Sequence, residues 1–200
     1  SRASYLFNST FSGIEQADSL LLIGCNPRWE AAVLNARIRS RYLNFGLPIG
    51  LIGEKPNLNY KFDHLGEGVA ALKAIAAKKG PFSKILKSSE RPMMIIGQGA
   101  LARGDGYSIL GLSREIAETY RMVNGTTSWN GFNVLHTAAG RVGGLDLGFV
   151  PNNNGRDTEG ILNGTEQGDI KFVYLLGADE INMNRLGNAF VVYQGHHGDA

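Results

Sequence analysis

The chain has 200 residues, with 20 Lys plus Arg against 18 Asp plus Glu, a formal charge of +2, and 43% hydrophobic residues. That length and balance suit an α/β chain with a sizeable core and exclude a disordered polypeptide. The basic residues are spread out, which excludes the clustered face of a nucleic-acid reader. A single cysteine excludes an internal disulfide framework and points to a reducing compartment.

The apolar run Leu20 to Ile23 stops at Gly24, the pattern of a strand buried on both faces of a parallel sheet. Asn26 stands where a helix cap accepts a backbone N–H, and Pro27 presets φ for the first helical turn. A helix is expected over Trp29 to Tyr42, with Ala32, Val33, Ala36 and Ile38 as its apolar face. Pro48 to Ile52 reads as the next strand, closed by Gly53. Asn59 to Leu65 reads as a short extended segment or turn. An Ala-rich helix from Val69 to Lys78 ends at Gly80-Pro81, and Phe82 to Leu86 reads as a short helical turn. Pro92 to Ile96 is a strand stopping at Gly97. Tyr107 to Tyr120 has helical spacing at Ile109, Leu112 and Ile116.

Phe132 to Val142 reads as a helix ending at Gly143-Gly144. From Phe149 to Asp169 the composition shifts to Asn, Gly, Asp and Thr, a surface loop with a short helix over Thr158 to Leu162. Lys171 to Leu176 and Phe190 to Tyr193 read as strands. The alternation predicts an α/β fold with a mostly parallel, doubly wound sheet of about five strands and helices on both faces. No apolar run approaches the ~20 residues that span a bilayer as a helix. The chain opens with neither an initiator Met nor a signal peptide, and reads as a piece excised from a longer subunit.

Three motifs invite chemistry. The turn Gly24-Cys25-Asn26-Pro27 sits at a strand's carboxyl end, where open α/β sheets hold ligands. Gly97-Gln98-Gly99-Ala100-Leu101-Ala102 satisfies the dinucleotide pattern G-x-G-x-x-A. The expected acidic partner is missing, because Glu115 and Glu118 fall inside a helix and no strand is expected after it. Arg103-Gly104-Asp105-Gly106 also delays the helix. His196-His197 with Asp199 lacks the converging ligands of a metal site, since neighbours on an extended chain face opposite ways. That polar, glycine-rich segment reads instead as a docking loop. His64 and His136 are isolated, and Cys25 reads as a small buried hydrophobe. A weaker echo links Leu20 to Asn26 with Val173 to Asp179, where an apolar strand again ends in glycine. Two similar half-sheets explain it, and so does the general likeness of βα units.

Several segments carry a family likeness. They are Gly13-Ile14-Glu15 with Ala17-Asp18, Gly24-Cys25-Asn26-Pro27-Arg28, Glu30-Ala31 and Asn35-Ala36-Arg37-Ile38-Arg39. Asp63-His64-Leu65-Gly66, Leu145-Asp146-Leu147-Gly148, Leu176-Gly177-Ala178-Asp179 and Tyr193-Gln194-Gly195-His196-His197-Gly198-Asp199 follow in the same order. Together they resemble the large iron–sulfur subunit of respiratory complex I (NADH:quinone oxidoreductase), the G subunit of bacteria and the 75 kDa subunit of mitochondria. The likeness is to its carboxy-terminal region, which is built like a molybdopterin oxidoreductase.

The resemblance implies one molybdopterin-oxidoreductase-like domain over residues 1–200, catalytically silent, inside an assembly that passes electrons from NADH to quinone coupled to proton translocation. Cofactor-binding relatives carry an Asp-Pro-Arg type turn after the second strand, where this chain has Gly53-Glu54-Lys55-Pro56. Gly24, Asn26 and Glu54 are therefore expected to be vestiges of a cofactor site, with no catalytic residue, cofactor or metal in the fragment. Iron–sulfur clusters, and the molybdenum-ligating residue of active relatives, lie upstream by the same resemblance. Expected partners are that upstream iron–sulfur domain and other peripheral-arm subunits, with no nucleic acid and no direct membrane insertion. The expected location is the cytoplasmic face of the bacterial inner membrane or the matrix side of the mitochondrial one. The alternative is the nucleotide-binding part of an active molybdopterin oxidoreductase, formate-dehydrogenase-like, still holding its pterin.

Overall fold

Strands without polar alternation must be covered on both faces, and the first apolar run meets that demand directly. In the computed structural model, which describes residues 1–125 and 128–196, helix α1 (Thr10–Gln16) leads into strand β1 (Ser19–Ile23). All five residues of β1 are buried. Helices α2 (Pro27–Glu30) and α3 (Ala32–Phe45) then lead to β2 (Ile49–Ile52), followed by β3 (Asp63–Gly66), α4 (Gly68–Ala76) and α5 (Pro81–Ser88). Strand β4 (Pro92–Gly97), helices α6 (Gln98–Leu101) and α7 (Gly106–Thr119), a small antiparallel pair β5 (Val123–Asn124) and β6 (Trp129–Asn130), and β7 (Phe132–Leu135) complete the first of two compact units, Ser1–Val142.

Its sheet runs β3-β2-β1-β4-β7, with every pair parallel. The chain builds outward from β1 through β2 to β3, then returns to the other side of β1 for β4 and β7. Ile14, Leu34 and Ile38 cover Leu20, Leu22 and Leu51 on one face. Leu72, Phe82, Leu86, Ile109 and Ile116 cover Leu21, Ile23 and Ile96 on the other. Helices on both faces of a parallel sheet are the arrangement expected from the sequence.

Two expected elements differ. The helix over Trp29 to Tyr42 is broken at Ala31, whose φ of −155° and ψ of 71° lie outside the helical region. The break rephases α3, so Leu34, Asn35 and Ile38 are buried while Ala32, Val33 and Ala36 face solvent. Asn35 tolerates burial because the Tyr60 hydroxyl donates to its Oδ1 at 2.7 Å.

The expected helix from Phe132 to Val142 is, over its first four residues, the edge strand β7; helix α8 (Arg141–Asp146) runs through Gly143-Gly144 instead of ending there. Four residues are too few for periodicity to separate strand from helix. The wholly buried Asn133 pins the strand. Its Nδ2 donates to Met94 O at 3.2 Å and Gly131 O at 3.1 Å, and its Oδ1 accepts from Ser9 N at 2.9 Å and Ser9 Oγ at 3.1 Å.

The second unit, Gly143–Ala200, contains helix α9 (Thr158–Glu166) and a parallel pair of strands, β8 (Phe172–Leu176) and β9 (Phe190–Gln194). Asp157 caps α9 by accepting from Gly160 N at 2.8 Å. Leu162, Val173, Leu175 and Leu186 form its small core. Arg185 ties the unit's surface through Glu159, Glu166 and Asn163. The two strands expected to extend the main sheet thus form their own pair, and β3 and β7 fill the main sheet's edges.

Where β1 ends, the chain passes hard against the end of β4. Gly24 adopts φ of 52°, a Cβ there would lie 2.6 Å from that of Ala100, and a Cβ at Gly97 would lie 2.2 Å from Gly24 O. Gly24→Val is expected to destabilise the chain by about 1–3 kcal/mol through left-handed strain and overpacking. A denaturation midpoint equal to that of the parent chain would contradict this packing.

Candidate functional site

The strand order reverses between β1 and β4, and ligands of open α/β sheets bind outside the carboxyl ends of strands at such a reversal. A cavity of about 300 Å³ lies there, lined by Gly24, Gly53, Glu54, Gly99, Arg103 and Asp105 among others. A neighbouring cavity of about 260 Å³ is lined by Gly24, Cys25, Asn26, Glu30, Glu54 and Pro56. The structure therefore brings Gly24, Asn26 and Glu54 together around the second cavity.

An anion at this turn needs free backbone donors. The Gly24 N–H donates to Ile52 O at 2.8 Å, and the Gly53 N–H to Gly66 O at 3.0 Å. The Asn26 N–H donates to Glu30 Oε1 at 2.5 Å, and Pro27 has no N–H. The Glu30 carboxylate thus takes up a backbone donor that an anion at this turn would use. This is a variant of the reciprocal helix cap, with the carboxylate one residue further along than usual. Asn26 does not cap α2 with its side chain as expected; its Oδ1 is buried without a partner. Glu54 adds a second carboxylate to the same wall. Across the larger cavity, the guanidinium of Arg103 is engaged by both oxygens of Asp105, at 2.7 and 3.1 Å. That hydrogen-bonded pair holds the Asp105 carboxyl below its ordinary range. A pterin dinucleotide, which brings phosphates, does not fit this donor set.

Cys25 is buried, with Sγ 3.8 Å from Ile95 O. Burial pushes its thiol pKa far up, and the Glu30 charge adds to the shift. A thiol kept protonated is neither a nucleophile nor a metal ligand.

The glycine motif after β4 behaves differently from expectation in two respects. A short helix, α6, fills Gln98 to Leu101 inside the motif, and the continuing helix starts only at Gly106. A strand, β7, does follow α7. It ends at Leu135-His136, with no carboxylate at its tip, so the ribose partner of the dinucleotide fingerprint is missing for a different reason. Glu115 and Glu118 are exposed on α7.

His64 Nε2 donates to Gly53 O at 2.8 Å and so braces the second turn. His136 Nε2 donates to Tyr5 O at 2.6 Å. His197 and Asp199 lie outside the described residues. Among the described residues, no three His, Cys, Asp or Glu side chains converge on a metal position. The echo in sequence has a geometric counterpart. Gly177 takes φ of 58° and its N–H donates to Gln194 O at 2.8 Å, as Gly24 does to Ile52.

Glu30 is the residue that reading the sequence missed. A carboxylate four residues after Asn26, on the helix that begins with Pro27, was the available signal. Glu30→Ala removes the acceptor of the Asn26 N–H and is expected to cost about 0.5–2 kcal/mol, as loss of a helix cap does. A chemical-denaturation midpoint unchanged by Glu30→Ala would contradict this role.

The sequence model of the molybdopterin oxidoreductase family matches residues 1–200. The chain is 44% identical over 198 residues to the G subunit of NADH-quinone oxidoreductase from Rickettsia bellii, covering 99% of this chain and 27% of that protein. It is also 44% identical over 200 residues to the mitochondrial NADH-ubiquinone oxidoreductase 78 kDa subunit of Neurospora crassa, covering 99% of this chain and 25% of that protein. The chain therefore spans about a quarter of the length of these relatives. Among solved structures, the formyltransferase/hydrolase complex of Methylorubrum extorquens aligns with a TM-score of 0.60 at 17% identity, covering 94% of this chain and 60% of that one; this likeness concerns the fold alone. With a parallel sheet reversing at β1 and β4, and a family match from the first residue to the last, the chain belongs to the molybdopterin oxidoreductase family.

Proposed function

We propose that residues 1–200 act as one catalytically silent, structural domain of the peripheral-arm iron–sulfur subunit of complex I. The parent assembly would transfer electrons from NADH to quinone, coupled to proton translocation. Identity of 44% to a bacterial G subunit and to a mitochondrial 78 kDa subunit supports the assignment. The observation that carries the silent reading is the Glu30 carboxylate seated on the Asn26 N–H, with Glu54 beside it. Two carboxylates repel the phosphates of a pterin dinucleotide, and the Gly24, Asn26 and Gly53 N–H groups are already used. Gly24, Asn26 and Glu54 are then remnants kept for folding.

In this reading the iron–sulfur clusters belong to an upstream part of the subunit, because one cysteine cannot ligate a cluster of the usual four-cysteine kind. The domain supports that upstream portion and contacts other peripheral-arm subunits. It binds no nucleic acid and does not enter the bilayer itself. Among the described residues no helix is long and apolar enough to cross a membrane. The parent subunit would sit at the cytoplasmic face of a bacterial inner membrane, or the matrix side of the mitochondrial one.

The segment Gln194 to Asp199 is the domain's docking loop in this account. Replacing His196 and His197 together by Ala in the full-length protein should lower the yield of assembled complex. NADH oxidation per bound flavin, measured in membranes, should stay unchanged. Normal assembly with a collapsed rate per flavin would show that the segment handles electrons or protons, and would overturn the structural reading.

A further inference from the structure

The chain as a whole is nearly balanced in charge, but helices α4 and α5 are not. From Gly68 to Ser88 they and their connecting turn carry five lysines, Lys73, Lys78, Lys79, Lys84 and Lys87, and no Asp or Glu. All five are exposed. Among the described residues none of their ammonium groups has a carboxylate partner. The helices bury Leu72 and Ile75 on α4 and Phe82, Ser83 and Leu86 on α5, which leaves the lysines on the outside. Like charges gathered in this way repel one another unless a group of opposite sign lies against them.

The turn between the helices is held firmly. The Lys78 N–H donates to Ile75 O and the Lys79 N–H to Ala74 O, both at 2.9 Å, and Ser83 Oγ donates to Lys79 O at 2.6 Å. Lys78 takes φ of 59° at a helix end where glycine is the usual residue. A long cationic side chain is thus kept where the backbone favours none. The same turn borders a groove of about 550 Å³. Leu65 of β3, Ala71 and Ile75 of α4, and Pro81 and Phe82 of α5 make most of its lining apolar, with Lys79 and Asp63 as charged members. A volume of that size accepts a large apolar side chain. Strand β3 is an edge of its sheet, and among the described residues no strand pairs with its outer side.

The chemistry around the lysines narrows the occupant. The helix pair offers no arginine fork for phosphate and no exposed aromatic ring for a base to stack on. It exposes no large apolar side chain that could enter a bilayer. Carboxylates with an apolar anchor between them match both the unpaired ammonium groups and the groove. We propose that the groove between β3 and the α4–α5 turn docks an extended acidic segment of a partner protein. One apolar side chain of that segment fills the groove, and its flanking carboxylates pair with Lys78, Lys79 and the neighbouring lysines. The inference is independent of the complex I reading.

The test titrates the full-length protein into the fluorescein-labelled peptide Glu-Glu-Glu-Leu-Phe-Glu-Glu-Glu and follows fluorescence anisotropy at low salt. A saturable rise that weakens as salt is added is expected. A peptide with Ser-Ser in place of Leu-Phe should bind about tenfold more weakly, since the buried anchor is lost. Lys78→Gly combined with Lys79→Gln should weaken the parent peptide about fivefold, as loss of two exposed ion pairs does. Glycine suits the backbone at position 78, so the denaturation midpoint of this variant should not fall. No saturable binding, equal affinity for the Ser-Ser peptide, or affinity unmoved by the lysine exchanges would each overturn the proposal. So would a failure to bind the peptide together with lysine-dependent capture by phosphatidylserine vesicles or a DNA oligonucleotide, which would assign the patch to lipid headgroups or nucleic acid.

Discussion

The first unit is organised by one constraint: β1 has no exposed surface. Leu20 to Ile23 are buried on both faces and paired on both edges, so everything near the strand must be cover or neighbour. The constraint reaches the strand's end, where the chain must leave between β2 and β4 without room for a side chain. Gly24 makes that exit in the left-handed region, against Gly97 and Ala100. The same contact brings three loops together at the carboxyl edge of the sheet, the place where this kind of fold holds ligands. Folding and site geometry therefore rest on the same few atoms.

The proposed silent reading rests on the hydrogen bonds at that edge. A cofactor cradle offers unpaired N–H groups; this one has directed them inward, Gly24 to Ile52, Gly53 to Gly66 and Asn26 to Glu30. The carboxylate performs for the short helix α2 the service an anion performs at a helix start. Cys25, beneath it, is kept protonated by burial, and Arg103 is matched by Asp105. The Gly24, Gly53 and Asn26 N–H groups and the Arg103 guanidinium each have an internal partner, whereas the buried Asn26 Oδ1 has none. A surface satisfied in this way suits a scaffold, which is the role proposed for the chain.

Much of the architecture was legible because it follows from local rules. Apolar runs without alternation marked β1, β2 and β4, and glycine placed their ends. What escaped was set by contacts far apart in sequence. Asn133 in β7 is stabilised by Ser9 and Met94, so no local pattern identifies its strand. The helix after Pro27 breaks at Ala31, and Asn35 is drawn inward by Tyr60, which turned the expected apolar face of Ala32, Val33 and Ala36 toward solvent. At the site, Gly24, Asn26 and Glu54 were identified from the turn and from family likeness. Glu30 was not, because a glutamate early in a helix has many ordinary uses.

The central claim is that the family's cofactor cradle is closed from within. Pterin released oxidatively from the full-length protein and quantified by fluorescence tests it most directly, with a molybdenum-free preparation as background. The account predicts no pterin above that background. One equivalent of pterin per chain would contradict it and make this turn a working cofactor site.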